Sequence, residues 1–188
     1  MARPLSEDRR NAILMAATEL VAEQGLGAAT AEIAKKAGVP NGSIFTYFAT
    51  KTDLLNALYL ELKRELTETV LAEMPGGDDT RAQLRHLWVT WTFWGASHPL
   101  KRRVLAQLSV SDQITELSRK AAYEAAASTL ELLRRASTNG ALHDAPAPYV
   151  GALVEAMATT TMDFMIRDPA KASALCESGF EALWNTLH

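Results

Sequence analysis

Polar side chains crowd into VPNGSIFTYFATK, residues 39–51, where Asn41, Ser43, Thr46, Tyr47 and Lys51 surround Gly42. Amide, hydroxyl and ammonium groups at this density suit hydrogen bonding to phosphate oxygens and base edges. The groups that would break bonds are scattered elsewhere. His86, His98, His143 and His188 lack metal-ligand spacing, Cys176 sits in an apolar stripe, and neither a nucleophile elbow nor a phosphate loop occurs. An enzyme is not expected, nor a metal or other cofactor.

The same stretch has a β appearance, because Asn41-Gly42 suits a tight hairpin turn and the six residues after it favour strands. It is the only such run in the chain, and a lone strand leaves its backbone donors and acceptors without partners. A short helix is expected instead. Asn41 would be its N-cap, Ile44, Phe45 and Phe48 its anchors in the core, and Ser43, Thr46 and Tyr47 its outward face.

Helical periodicity dominates the surroundings. Apolar residues at 13, 16, 17, 20 and 21 predict an amphipathic helix over about 6–24, with Ser6 as N-cap, Glu7 and Asp8 in the positive first turn and Gly25 as its stop. A second helix is expected near 30–37, with Ile33, Ala34 and Ala37 inward and Gly38 just past its end. Thr50 and Asp53 form a capping-box pair opening a long helix over 51–73. Met74-Pro75-Gly76-Gly77-Asp78 breaks the chain, and further helices are expected near 79–97, 99–108, 111–138, 147–166 and 169–187. The predicted fold is all-α. Residues 1–50 form a three-helix helix-turn-helix unit and 51–188 a helical bundle, with 51–73 connecting them.

Composition narrows the class. The chain has 188 residues, 48% apolar, one cysteine and a net charge of −3. That is ample for a core and leaves no intrachain disulfide. MARPLSEDRR offers no apolar leader and no long apolar run follows, so a cytoplasmic protein with no membrane partner is expected. Residues 1–64 hold eight Lys/Arg against seven Asp/Glu, and 65–188 eleven against fifteen. Nucleic-acid binding would therefore rest on a few placed charges rather than on bulk charge. Lys51 is such a charge: a cation at a positive helix end is locally unfavourable and points to an external anion. Lys35 and Lys36 fit a solvated face or phosphate contact.

Two short helices joined by Gly38-Val39-Pro40 make a helix-turn-helix, although an ordinary helical hairpin has the same spacing. The whole run Arg9–Tyr59 resembles the N-terminal DNA-binding domain of the TetR family of bacterial transcriptional regulators. Matching residues are Ala16-Ala17, Gly25, Thr30, Ile33-Ala34, Ala37-Gly38-Val39, Gly42-Ser43, Phe48, Lys51 and Leu54-Leu55. The resemblance implies a nine-helix fold, a homodimer made through the last two helices, operator DNA as partner, and a small-molecule effector whose binding in the C-terminal domain weakens operator binding. It implies phosphate contact at Thr30 and Lys51, and an exposed recognition surface of Asn41, Gly42, Ser43, Thr46 and Tyr47. The family most often has tyrosine where Phe45 stands, and the lost hydroxyl is one that Tyr47 could supply. A helical ligand-binding or interaction module with weak or lost DNA binding is the alternative.

Two apolar surfaces follow in the remaining chain. Trp88, Trp91 and Trp94, facing Tyr123, Met157, Thr161, Phe164 and Met165, read either as core or as the wall of a mostly apolar ligand cavity. A stripe of Leu175, Gly179, Phe180, Leu183 and Trp184, joined by Val150, Leu153 and Val154, reads as a two-fold dimer interface or as core within one protomer.

Overall fold

Ten α-helices make up the regular structure in the computed structural model, which describes residues 6–188; no strand occurs among them. They are α1 (Glu7–Gln24), α2 (Thr30–Lys36), α3 (Ile44–Tyr47), α4 (Lys51–Leu71), α5 (Thr80–Ser97), α6 (Pro99–Ser109), α7 (Glu116–Ala125), α8 (Ala127–Ala136), α9 (Ala147–Arg167) and α10 (Ala172–Leu187), with 3-10 turns at Asn41–Ser43 and Pro169–Lys171. The expectation of no apolar leader falls in part on residues 1–5, which lie outside the described residues. None of the helices is long and apolar enough to cross a membrane.

One expected helix is divided. The run predicted over 111–138 starts only at Glu116 and breaks at Ala126, whose amide bonds Tyr123 O at 3.1 Å, a tighter turn than the α ladder makes. Around the break Glu124, Ala125, Ala127 and Ser128 are exposed. Helices in proteins owe most of their stability to a packed face, and this stretch has none, so the strong propensity of three alanines does not keep the ladder continuous.

Contacts group the chain into two units: residues up to Arg64 with Pro99–Ala122, and Glu65–His98 with Tyr123–His188. In the first, α2 and α6 both pack on α1. Helix α1 buries Ile13, Leu14, Ala16, Ala17, Leu20, Val21 and Ala22, the apolar stripe expected from its spacing. The α6 side contributes Val104, Leu105 and Leu108, and Arg103 reaches Ala22 O near the end of α1.

The second unit is a bundle of α5, α8, α9 and α10 around Trp88. That indole is fully buried and donates its N–H to Cys176 O at 2.9 Å, so its one polar atom is satisfied inside the core. Thr92 lies beside it, bonding Trp88 O at 2.8 Å and meeting Cys176 Sγ at 3.3 Å. Two glycines set the spacing. A Cβ on Gly95 would lie 2.4 Å from Met162 Sδ, and one on Gly179 2.8 Å from Trp88 Cζ2.

Trp88→Ala should cost about 3–5 kcal/mol, read as a lower denaturant midpoint in equilibrium unfolding. Burial also pushes the Cys176 thiol up from its usual range, although the contact with Thr92 opposes this. A disulfide reagent near pH 8 should therefore label Cys176 slowly in the native protein and rapidly after unfolding.

Candidate nucleic-acid interface

A tight turn sets the geometry of α2 and the segment that follows it. Ile33 and Ala34 are buried, and the chain leaves α2 by two paired bonds, Gly38 N to Lys35 O at 3.2 Å and Val39 N to Ala34 O at 3.0 Å. These form a Schellman ending, and they require the left-handed backbone of Gly38, at φ 68°. After Pro40 the 3-10 turn closes with Ser43 N on Pro40 O at 2.8 Å, and α3 carries the chain to Phe48. Helix α4 then starts at a reciprocal cap: Asp53 N donates to Thr50 Oγ1 at 3.1 Å and Thr50 N to Asp53 Oδ2 at 3.0 Å. This is the capping box its sequence predicts, and it fixes where Lys51 stands.

Two details differ from expectation. Asn41 caps no helix: the turn already begins at Asn41, so the cap position falls on Pro40, which has no side-chain acceptor. Phe45 is not core. Ile44 and Phe48, one turn apart, take the buried face, and Phe45 lies about 100° round the helix from Ile44 with half its surface exposed. Thr30 is the first residue of α2, with Ala29 in the cap position.

The polar groups here are disengaged. Among the described residues no side-chain hydrogen bond engages Thr30, Asn41, Ser43 or Thr46, and neither Lys35 nor Lys51 has an ion-pair partner. Lys36 differs, because it pairs with Glu19 at 2.7 Å, and that hydrogen bond raises its pKa. The Tyr47 hydroxyl accepts from Ser6 N at 3.3 Å, which ties the start of α1 to the end of α3. A Cβ at Gly42 would meet nothing within 4 Å. Thr30, Lys35, Asn41, Ser43, Thr46 and Lys51 thus present donors and acceptors that the fold itself does not use.

Asn56 was not anticipated from the sequence. It is 8% exposed, and its side chain donates to Thr52 O and Gln113 O, both at 2.8 Å, while accepting from Thr115 N at 2.9 Å. It pins the 111–115 segment to α4 one turn and a half behind Lys51. The available signal was a polar residue enclosed by Leu54, Leu55 and Leu58.

The predicted cavity residues divide. Trp88 and Met165 are deep in the core, Trp94 is buried with its N–H on Glu65 at 3.2 Å, and Trp91, Met157 and Thr161 are half-buried. Tyr123 and Phe164 are exposed, the latter under the Arg167 guanidinium. Met162 lies against Gly95, and Trp88 and Thr161 lie against Gly179, so these side chains pack closely at those two points. A cavity of about 240 Å³ lies between α8 and α9, bounded by Leu130, Leu133, Arg134, His143 and Val150. Of the predicted interface, Val150, Val154, Phe180 and Leu183 are buried within the protomer, and Gly179 faces Trp88 and Thr161 there. Leu153, Leu175 and Trp184 are half-buried.

Residues 13–58 match the family model described as bacterial regulatory proteins, tetR family. The HTH-type transcriptional regulator BetI of Stenotrophomonas maltophilia is 37% identical over 108 residues, 47% of this chain and 54% of that protein, so the chain spans about half the length of this curated relative. Over the whole fold, the crystal structure of a tetR family regulator from Shewanella sp. PV-4 superposes with a TM-score of 0.84 at 25% identity, covering 94% of this chain and 96% of that one. The TetR-like regulator LfrR of Mycobacterium smegmatis, solved in complex with proflavine, has the same fold, with a TM-score of 0.70 at 20% identity over 97% and 98% of the two chains.

Proposed function

Because the chain belongs to the TetR family of bacterial regulators, we propose that it is a homodimeric, sequence-specific DNA-binding repressor released from its operator by a small, mostly apolar molecule. The observation that carries this reading is the set of disengaged polar groups around the 38–51 turn. A surface hydroxyl, amide or ammonium with no internal partner gains little for folding. Six of them beside an exposed helix-turn-helix match what phosphates and base edges accept. Thr30, Lys35 and Lys51 would bond phosphates, and Asn41, Gly42, Ser43 and Thr46 would face the bases. Tyr47 would hold α1 and α3 together through Ser6 while its hydroxyl proton serves a phosphate.

The dimer would form on the outer faces of α9 and α10. Ala152, Ala156, Ala174, Ser178 and Ala182 are exposed and small, which permits close helix approach, while Leu153, Leu175 and Trp184 would lose their remaining exposure there. The effector would act in the bundle that contains Trp88, where flexible Met157 and Met162 can repack round an aromatic or aliphatic guest. Helix α4 would transmit the change, since it begins at Lys51 and ends among the residues of the second unit. A changed tilt would alter the spacing of two recognition surfaces that must meet successive major grooves, about 34–36 Å apart.

Gel shifts on DNA flanking the gene should detect sequence-preferring binding at low salt; its absence would sink the reading. Lys51→Ala should weaken all operators alike and reduce the log–log salt slope of the dimer by about 1.8, two phosphates at about 0.9 each. An unchanged slope removes Lys51 from the contacts. Ala156→Arg should leave the circular dichroism spectrum intact and give a monomer in light scattering; a persisting dimer would move the interface elsewhere.

A further inference from the structure

The phenyl ring of Phe45 has no role in the core, yet it stands among the disengaged polar groups. Ile44 is fully buried and Phe48 nearly so, and these two hold α3 down without it. Single exposed apolar side chains are ordinary on protein surfaces and by themselves imply nothing. This one is unshielded in a particular way. Three residues before it is Gly42, beside which there is open space, Thr46 next to it is exposed, and so is Ala49 beyond the end of the helix. Nothing long enough to cover the ring lies along its own helix, and Lys35 and Lys51 have no ion-pair partner among the described residues.

We infer that Phe45 is a specificity-determining residue that reads the C5-methyl group of a thymine in each operator half-site. The inference rests on the DNA-binding reading above and deepens it. A phenyl ring has no hydrogen-bonding group, so it gains nothing from a phosphate, a purine N7 or an exocyclic amine. The apolar feature that the major groove presents is the thymine methyl. Seating the ring against that methyl removes both from water and replaces neither's hydrogen bonds. The polar residues beside it would position the helix, and Phe45 would contribute discrimination between thymine and the other bases.

The experiment uses the full-length protein and a duplex recovered by repeated selection from a random-sequence library. Each thymine of the selected duplex is then replaced singly by deoxyuridine, which removes the methyl and leaves the Watson–Crick groups unchanged. One thymine per half-site should prove sensitive, with affinity falling about fourfold for one half-site and about fifteenfold when both are replaced. Phe45→Ala should bind the thymine and deoxyuridine duplexes equally, measured at lower salt where its binding is weak. Deoxyuridine tolerated at every position, or a deoxyuridine penalty that persists in Phe45→Ala, would overturn the inference while leaving the regulator reading intact. A selection that yields no preferred sequence would overturn that reading and the inference with it.

Discussion

Helices of seven and four residues do not hold together in water, because nucleation costs more than so few hydrogen bonds return. Helices α2 and α3 therefore exist only through what they bury. Ile33 and Ile44 are fully enclosed, each removing an apolar side chain from water at a gain of about 1.5–3 kcal/mol. The long α1, with its continuous apolar stripe, is the platform on which α2 packs. Every polar contact proposed for this region depends on that arrangement, since side chains on an unanchored turn would spend their binding energy on ordering the backbone. The two ends of the motif are closed independently, by the Schellman bonds at Gly38 and the Thr50–Asp53 cap.

The second unit obeys a different constraint. Its centre is the Trp88 indole, against which Gly179 allows close approach, while Gly95, on the same helix as the indole, leaves room for Met162. Around that indole the side chains pack closely, so a guest entering there must displace them. Methionines line the place where this is least costly, because a thioether chain changes shape with little rotamer strain.

Much of this was legible in the sequence, and the omissions share a cause. Periodicity placed nearly every helix, and glycine and capping chemistry placed the turn at Gly38 and the start of α4. These are local signals. The pattern points Phe45 inward because aromatic residues usually lie there, yet a four-residue helix buries only Ile44, and Phe48 just beyond its end takes the rest of that space. Val154, Phe180 and Leu183 looked available to a partner because a stripe records that a face is buried without recording by what. Asn56 went unread for the converse reason: its partners, Gln113 and Thr115, lie far along the chain. The break at Ala126 was invisible because alanine favours helix and only the lack of packing around it says otherwise.

The disengagement of Asn41, Ser43 and Thr46 has a consequence beyond recognition. Residues that carry no internal bond can be exchanged at almost no thermodynamic penalty, so mutation can wander through these positions while the scaffold stays above its stability threshold. A lineage built on this plan can acquire new target sequences by drift, one solvent-facing position at a time, after gene duplication. Ile33, Ile44 and Gly38 allow no such freedom. Diversification and permanence are thus assigned to alternate side chains of the same short segment.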